Sequence, residues 1–383
     1  MSEFRAAHSD HADAMQAVAQ CIAALGRSDG ASLGFVYATD YHAASLPRIV
    51  AALRAETGIA DWTGTAGLGV LANGGANGEG SNGHGAGAEY FDRPGLAVML
   101  AVLPAGKHLL FEPVHGGMPP FERAHRAWLE RHLPLFGVVH ADPRNPHAAS
   151  IVADLSASTG AFLVGGMTAS RDSYPQVSKG IVEGGVSGVL FAAGTDVATG
   201  LTQGCSPLGL VHEITDAEDN VVKTLDGEPA LAVYVRAIGE ILARDLRRAV
   251  SLVHAALPVA GSDTGDYLVR NIVGIDPERG WIAIGDEVEK GRRLVFVRRD
   301  PAAAREDMAR MLTRLTARMK EPPKGALYHA CVARGRHMFG EDGAEIAIIR
   351  EALGDIPLVG FFANGEICHN RLYGYTGVLS LFF

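Results

Sequence analysis

Three stretches of this chain follow one plan, and that repetition constrains the fold more than any other feature. In the first, the apolar run LGFVYATD (33–40) precedes a helical pattern, AASLPRIVAALRAETG (43–58). A second run enters a glycine-rich turn, ADWTGTAGLG (60–69), and a third follows, LAVMLAVLP (96–104). The second stretch offers FGVVHADP (136–143), AASIVADLSASTG (148–160), AFLVGGMTAS (161–170) and VSGVLFAAG (186–194). The third offers LYHACVARG (327–335), DGAEIAIIREALG (342–354), PLVGFFANGE (357–366) and YTGVLSLFF (375–383). Each helical pattern stops at a glycine, Gly58, Gly160 or Gly354, as a left-handed C-terminal cap prefers. Another glycine follows shortly after, Gly64, Gly165 or Gly360, where the second strand approaches its turn. The units predict an α+β (mixed α/β) protein, with repeated β-α-β-β units forming mixed sheets covered by helices, a layered sandwich in two modules.

Outside this plan, residues 205–226 read as a β-hairpin around the polar turn TDAEDN, and 265–300 as several short strands. Between them, 229–257 reads as helical, with Pro229 near the first turn. A further helix opens at Asp300–Pro301 and carries Met308, Met311, Leu312 and Leu315 on its core side. In the third repeat Asp342 is placed to cap the helix, with Glu345 completing a capping box. The segment NGGANGEGSNGHGAG (73–87) is too polar and glycine-rich to pack and reads as a flexible loop.

The formal net charge is −9 and no basic patch alternates with aromatics, which argues against nucleic acid as a partner. No apolar run approaches the ~18 residues of a membrane span, and the polar N-terminus has no signal core. These features predict no membrane insertion and a cytoplasmic location. Cys21, Cys205, Cys331 and Cys368 form no C-x-x-C pair, which speaks against a zinc site or a disulfide framework. The nucleophile elbow and the phosphate loop are absent, and GTAGLG (64–69) lacks the spacing of a dinucleotide fingerprint. The histidines show no H-E-x-x-H. Haem, which needs only one axial side chain, stays open on spacing grounds.

Chemistry gathers instead at the turns of the third repeat. Cys331 and Arg334 end its first strand and Glu366 ends its second, so neighbouring strands would bring them to one sheet edge. There an arginine can fork onto a carboxylate and a glutamate can accept an ammonium. The plainer alternative is that Arg334 and Glu366 pair with each other. Cys368 and His369 are adjacent, so on a strand they face opposite ways, and a thiolate–imidazole couple would need an intervening turn.

The runs TQGCSPLGLVHEITDAEDNVVKTLDGEPALAVY (202–234) and YLVRNIVGIDPERGWIAIGDEVEKGRRLVFVRRD (267–300), with the ending LVGFFANGEI…GYTGVLSLF, resemble the FIST domains. These are sensory modules with an N-terminal and a C-terminal part, and the resemblance runs from about residue 32 to the end. On this reading a helical lead-in covers 1–31, a FIST N-like module 32–225 and a FIST C-like module 226–383. The resemblance implies a bacterial, non-catalytic signal-input protein that binds a small ligand such as an amino acid. For some members it implies a haem-based nitric-oxide sensor acting on a histidine kinase.

Matching positions are Gly204-Cys205 with Pro207 and Gly209, then Arg270, Arg334-Gly335 and Gly365-Glu366-Ile367. With Cys331 they give Cys205, Arg270, Cys331, Arg334, Gly335, Gly365 and Glu366 as the expected ligand contacts. No metal and no cofactor is expected, haem being the alternative, and a third reading is an enzyme using a reactive Cys331 or Cys368. Signal output is expected to come from a separate partner protein. One departure is the compact CHNRLYGYTG before the last strand, where members often carry a longer glycine-rich stretch, and no haem-ligating histidine aligns.

Overall fold

The computed structural model describes residues 3–27, 29–74, 87–262 and 265–383. Most of the loop read at 73–87, from residue 75 to 86, lies outside the described residues. Two compact units divide the chain: 1–202, 308–372 and 376–383 form the first, and 203–307 with 373–375 the second.

The first unit consists of three repeats, each longer than its sequence pattern. Repeat one runs β1 (Glu3–Ser9), α1 (Ala14–Leu25), β2 (Leu33–Thr39), α2 (Leu46–Thr57), β3 (Asp61–Gly67), the hairpin β4 (Gly69–Asn73) and β5 (Ala88–Phe91), then β6 (Leu96–Val102). The lead-in therefore carries a strand ahead of its helix, and β1 pairs with β6. Repeat two runs β7 (His108–Val114), α3 (Pro119–His132), β8 (Phe136–Ala141), α4 (Ala148–Thr159), β9 (Phe162–Met167), the hairpin β10 (Gln176–Ser178) and β11 (Gly180–Val182), then β12 (Val186–Phe191). Repeat three opens with β13 (Val197–Gln203) and is then interrupted by the second unit.

That insertion comprises β14 (Cys205–Glu218), β15 (Val221–Leu225), β16 (Glu228–Pro229), α5 (Ala230–Ala243), α6 (Leu246–Leu252), β17 (Val253–Pro258), β18 (Tyr267–Arg270), β19 (Ile272–Asp276), β20 (Trp281–Ile284) and β21 (Arg293–Arg299). Its entry and exit are tied together. The Gln203 N–H donates to Asp307 at 2.6 Å, and the Asp300 N–H donates to the Gly204 carbonyl at 3.1 Å. Helix α7 (Pro301–Arg318) leads back, and repeat three ends with β22 (Gly325–Cys331), α8 (Arg336–Phe339), α9 (Ala344–Leu353), β23 (Leu358–Ala363), the hairpin β24 (Glu366–His369) and β25 (Arg371–Tyr373), then β26 (Thr376–Phe382).

Among the described residues the repeats build three six-stranded sheets of one design: β1-β6-β2-β3-β10-β11, β7-β12-β8-β9-β24-β25 and β13-β26-β22-β23-β4-β5. The inner pairs β2·β3, β8·β9 and β22·β23 are parallel, as a helical crossover requires. The last two places in each sheet belong to a hairpin from another repeat. Repeat one lends β4–β5 to the third sheet, repeat two lends β10–β11 to the first, and repeat three lends β24–β25 to the second. The exchange is cyclic.

Strands β2, β22 and β23 are buried at every position, which is why they appear in the sequence as unbroken apolar runs. Val18, Cys21, Ile49 and Leu53 of α1 and α2 share one core with Val36 and Val98. Ile151, Val152 and Leu155 of α4 share another with Val139, Leu163 and Leu190. Gly64, Gly165 and Gly360 sit within their strands rather than at the turns. Each faces the carbonyl oxygen of its parallel neighbour, that of Val36, Val139 or Tyr328, where a Cβ would fall closer than 3.0 Å.

In the second unit one sheet runs β18-β17-β21-β14-β15-β20-β19, with β16 beside β15. The β14–β15 hairpin turns at Asp219, whose φ is 52°. The helical reading of 229–257 needs correction at its end. The helices stop at Leu252, and VHAALP enters β17, paired with β18 and β21. A short apolar run buried on both faces has no periodicity that separates strand from helix. No described helix is long and apolar enough to cross a membrane.

Candidate functional site

The three repeats meet at a buried polar point. The fifth residues of β2, β8 and β22 are Tyr37, His140 and His329, none of them exposed. The Tyr37 hydroxyl lies 3.2 Å from Nε2 of His329 and 3.3 Å from Nε2 of His140, and Phe361 stacks on the Tyr37 ring at 5.1 Å. Burial pushes His329 down to about 3 and His140 well below its ordinary value, so both imidazoles are neutral. One hydroxyl then serves both rings, donating to one Nε2 and accepting from the other.

A second buried cluster occupies the C-terminal ends of β22 and β23. Arg334 and Glu345 are both fully buried, and the Arg334 Nε and Nη2 lie 2.8 and 2.6 Å from Glu345 Oε1. The Tyr328 hydroxyl donates to the same oxygen at 3.0 Å, and the Gly335 N–H donates to Oε2 at 3.3 Å. Glu89, on the hairpin that repeat one lends, accepts the Glu345 and Ile346 N–H groups with Oε1. That corrects the expected cap: the N-cap residue of α9 is Gly343, which has no side chain to offer, and Glu89 takes the place assigned to Asp342. Burial and then the nearby Glu345 push Glu89 up to about 8, so it caps the helix start through its carboxyl oxygen rather than a full charge. Glu345 is turned into the Arg334 ion pair instead of back along its own helix. Arg334 is thus paired with Glu345, not with Glu366.

Glu366 opens β24, which crosses to pair with β9, Glu366 standing opposite Gly166. Its Oε2 accepts from the Thr376 hydroxyl at 2.7 Å and the Thr376 N–H at 3.2 Å. The Cys331 thiol also hydrogen-bonds to the carboxyl, and the Arg334 charge favours its ionised form. Burial nevertheless dominates and pushes Glu366 up to about 8. Gln176 holds the matching place in repeat two, opposite Thr65. Its amide is satisfied at both ends, accepting from Ser187 and donating to the Gly185 carbonyl. Glu366 is not: among the described residues its Oε1 has no hydrogen-bond partner, and neither do Glu89 Oε2 and Arg334 Nη1.

The structure therefore brings Cys331, Arg334, Gly335 and Glu366 into one neighbourhood. Gly335 has φ 55° and offers its N–H to Glu345. Gly365, with φ 122°, accepts the Met167 N–H on its carbonyl and so sets the crossing of β24. Cys205 and Arg270 belong to the second unit. There the Tyr267 hydroxyl donates to the Cys205 carbonyl, and Arg270 Nε donates to Asp286 at 2.9 Å. Cys368 is buried while His369 is exposed and stacks on Phe162 at 5.1 Å, so the two form no couple. Sequence reasoning missed Glu89, Tyr328, Thr376 and the Tyr37–His140–His329 point. Only the last carried a signal, the same position in three aligned strands.

The FIST N domain matches residues 32–228 and the FIST C domain residues 230–369. The chain belongs to the FIST family. An uncharacterized Mycobacterium tuberculosis protein, Rv0628c, is 34% identical over 312 residues, covering 77% of this chain and 79% of that protein. Another, Mb0898c of Mycobacterium bovis, is 36% identical over 213 residues, covering 53% of this chain and 54% of that protein. FIST domains are small-molecule sensor modules and are generally non-catalytic.

The raised Glu366 pKa fixes the sign of one pH effect. Below 4.5, its ordinary value, the folded and unfolded chains both hold the proton. Between 4.5 and about 8 the unfolded chain releases it and the folded chain keeps it, so stability falls as pH rises through that window. The slope approaches about 1.4 kcal/mol per pH unit for one proton. Urea denaturation across this range should show Glu366→Gln lacking that component. Parallel wild-type and variant profiles would show that Glu366 does not titrate there.

Proposed function

We propose that the FIST chain is a non-catalytic sensor whose small ligand is held by the Arg334–Glu366–Glu89 cluster. The observation that carries this reading is the set of unpartnered buried atoms, Arg334 Nη1, Glu366 Oε1 and Glu89 Oε2. A buried polar group without a partner costs about 1–3 kcal/mol, more if charged, so three in one network favour an occupant that completes them. One is a guanidinium donor and two are carboxyl oxygens, which suits a small zwitterion: its carboxylate on Arg334, its ammonium on Glu366 or Glu89. That is the chemistry of an amino acid. Occupancy would be read out by a separate signalling protein.

The haem reading has no comparable observation behind it. The Nε2 atoms of His140 and His329 are engaged by Tyr37, and an iron ligated by either Nε2 would have to displace that hydroxyl. A Soret band on reconstitution would revive it.

Thermal-shift titration with the standard amino acids and small carboxylates tests the proposal. A ligand at a hundred times its Kd adds about 2.7 kcal/mol of stability. The shift should disappear in Glu366→Gln, which keeps the shape and removes a carboxyl that a bound ammonium would hold ionised. A panel without any hit, or a hit unaffected by Glu366→Gln, overturns the proposal.

A further inference from the structure

The second unit holds a groove that the ligand cluster does not use. Helix α5 is broken at Gly239, whose φ of 75° and ψ of 167° lie outside the helical region. Beside the break a groove of 490 Å³ opens between α5, the end of α6 and the Arg298 end of β21. That volume falls in the roughly 300–1,000 Å³ range of small-ligand sites. Leu208, Ile238, Leu242 and Leu252 supply most of its wall, and Leu252 is left 43% exposed. Arg298 and Arg299 are the charged residues on the lining, and the Arg298 charge also acts on Asp300 at the end of its strand. In a chain of net charge −9, a concavity whose two charged lining residues are both arginines favours an anion.

We propose that this groove binds a free anionic amphiphile, a medium-chain fatty acid. Its alkyl chain lies along the four apolar side chains and leaves water. Its carboxylate meets the guanidinium of Arg298, which is exposed at the mouth and presents paired donors in carboxylate geometry. An apolar wall with positive charge at one end matches a molecule of the same polarity order. A bilayer would need these residues on a convex face, whereas a concave groove admits one chain at a time.

Dodecanoate titrated into the full chain by isothermal calorimetry, below its micelle concentration, should show saturable one-site binding. Arg298→Glu changes an exposed residue and should weaken it by about tenfold or more, as loss of a charge-assisted hydrogen bond predicts. Leu242→Trp should fill the groove and abolish binding, with its far-UV spectrum and urea midpoint confirming the fold. Dodecyltrimethylammonium has the chain without the anion and should bind at least as weakly as dodecanoate binds the Arg298→Glu protein. Absence of saturable binding, equal binding of the cation, or full affinity in Arg298→Glu overturns the proposal. So does binding confined to anionic vesicles, which would make the surface a membrane contact.

Discussion

Gly360→Ala should leave no measurable folded protein. Its Cβ would overlap the Tyr328 carbonyl oxygen on the parallel neighbour, and backbone cannot rotate away as a side chain can. Relief requires β22 and β23 to separate along a ladder running from Ala326↔Leu358 to Cys331↔Ala363. The cost belongs with the exceptional substitutions, above about 4–5 kcal/mol. The same collision occurs at Gly64 and Gly165, so all three alanine variants should fail alike. Gly58→Ala is the control. Gly58 has φ 72° and nothing within 4 Å of its would-be Cβ, so only the left-handed conformation is at stake, costing about 1–2 kcal/mol. Soluble yield and urea midpoints separate the two classes. A Gly360→Ala protein as stable as Gly58→Ala would refute the close-approach argument.

Arg334→Met should destabilise the first unit by about 3–5 kcal/mol, because it strands the Glu345 carboxylate without a counter-charge in the interior. The double variant Arg334→Met with Glu345→Gln should recover part of that loss. The glutamine carbonyl still accepts the Tyr328 hydroxyl, and no buried charge remains unpaired. A double-mutant cycle by urea denaturation measures the coupling, expected within about 0.5–3 kcal/mol for residues in one network. A loss below about 1 kcal/mol for Arg334→Met would mean that the pair is solvated, contrary to its burial.

These two predictions draw on different amounts of sequence information. The glycines were visible because each follows a helix-ending glycine five or six residues later, although the sequence placed them near turns. The close approach that requires them is a property of the neighbouring strand. Arg334 and Glu366 were visible as polar groups ending apolar runs, and the parallel β22·β23 pair brings those ends together as expected. Glu89 was hidden, since its work is to cap a helix whose first N–H groups lie more than 250 residues along the chain. Asp342 was favoured in its place because local signals always select the nearest acid. The lent hairpins were equally hidden: β10 and β11 are three residues each, too short for a periodicity, and their partners are set by the tertiary structure. Strand β1 escaped notice because EFRAAHS alternates weakly and pairs with residues from the far end of its repeat.

The cyclic loan of hairpins sets an order on the ribosome. When Val70 emerges, the strand it must join does not yet exist, because Phe361 lies far downstream. At about 5–20 residues per second the wait is on the order of 15 s or more. Strand β9 likewise keeps an open edge until Glu366 arrives to pair with Gly166. A polypeptide stalled before residue 358 therefore carries one orphaned hairpin and one bare sheet edge, both ready templates for another chain. Translation pauses between the lent hairpin and its distant partner strand would be felt as aggregation of a protein whose folded form has those edges covered.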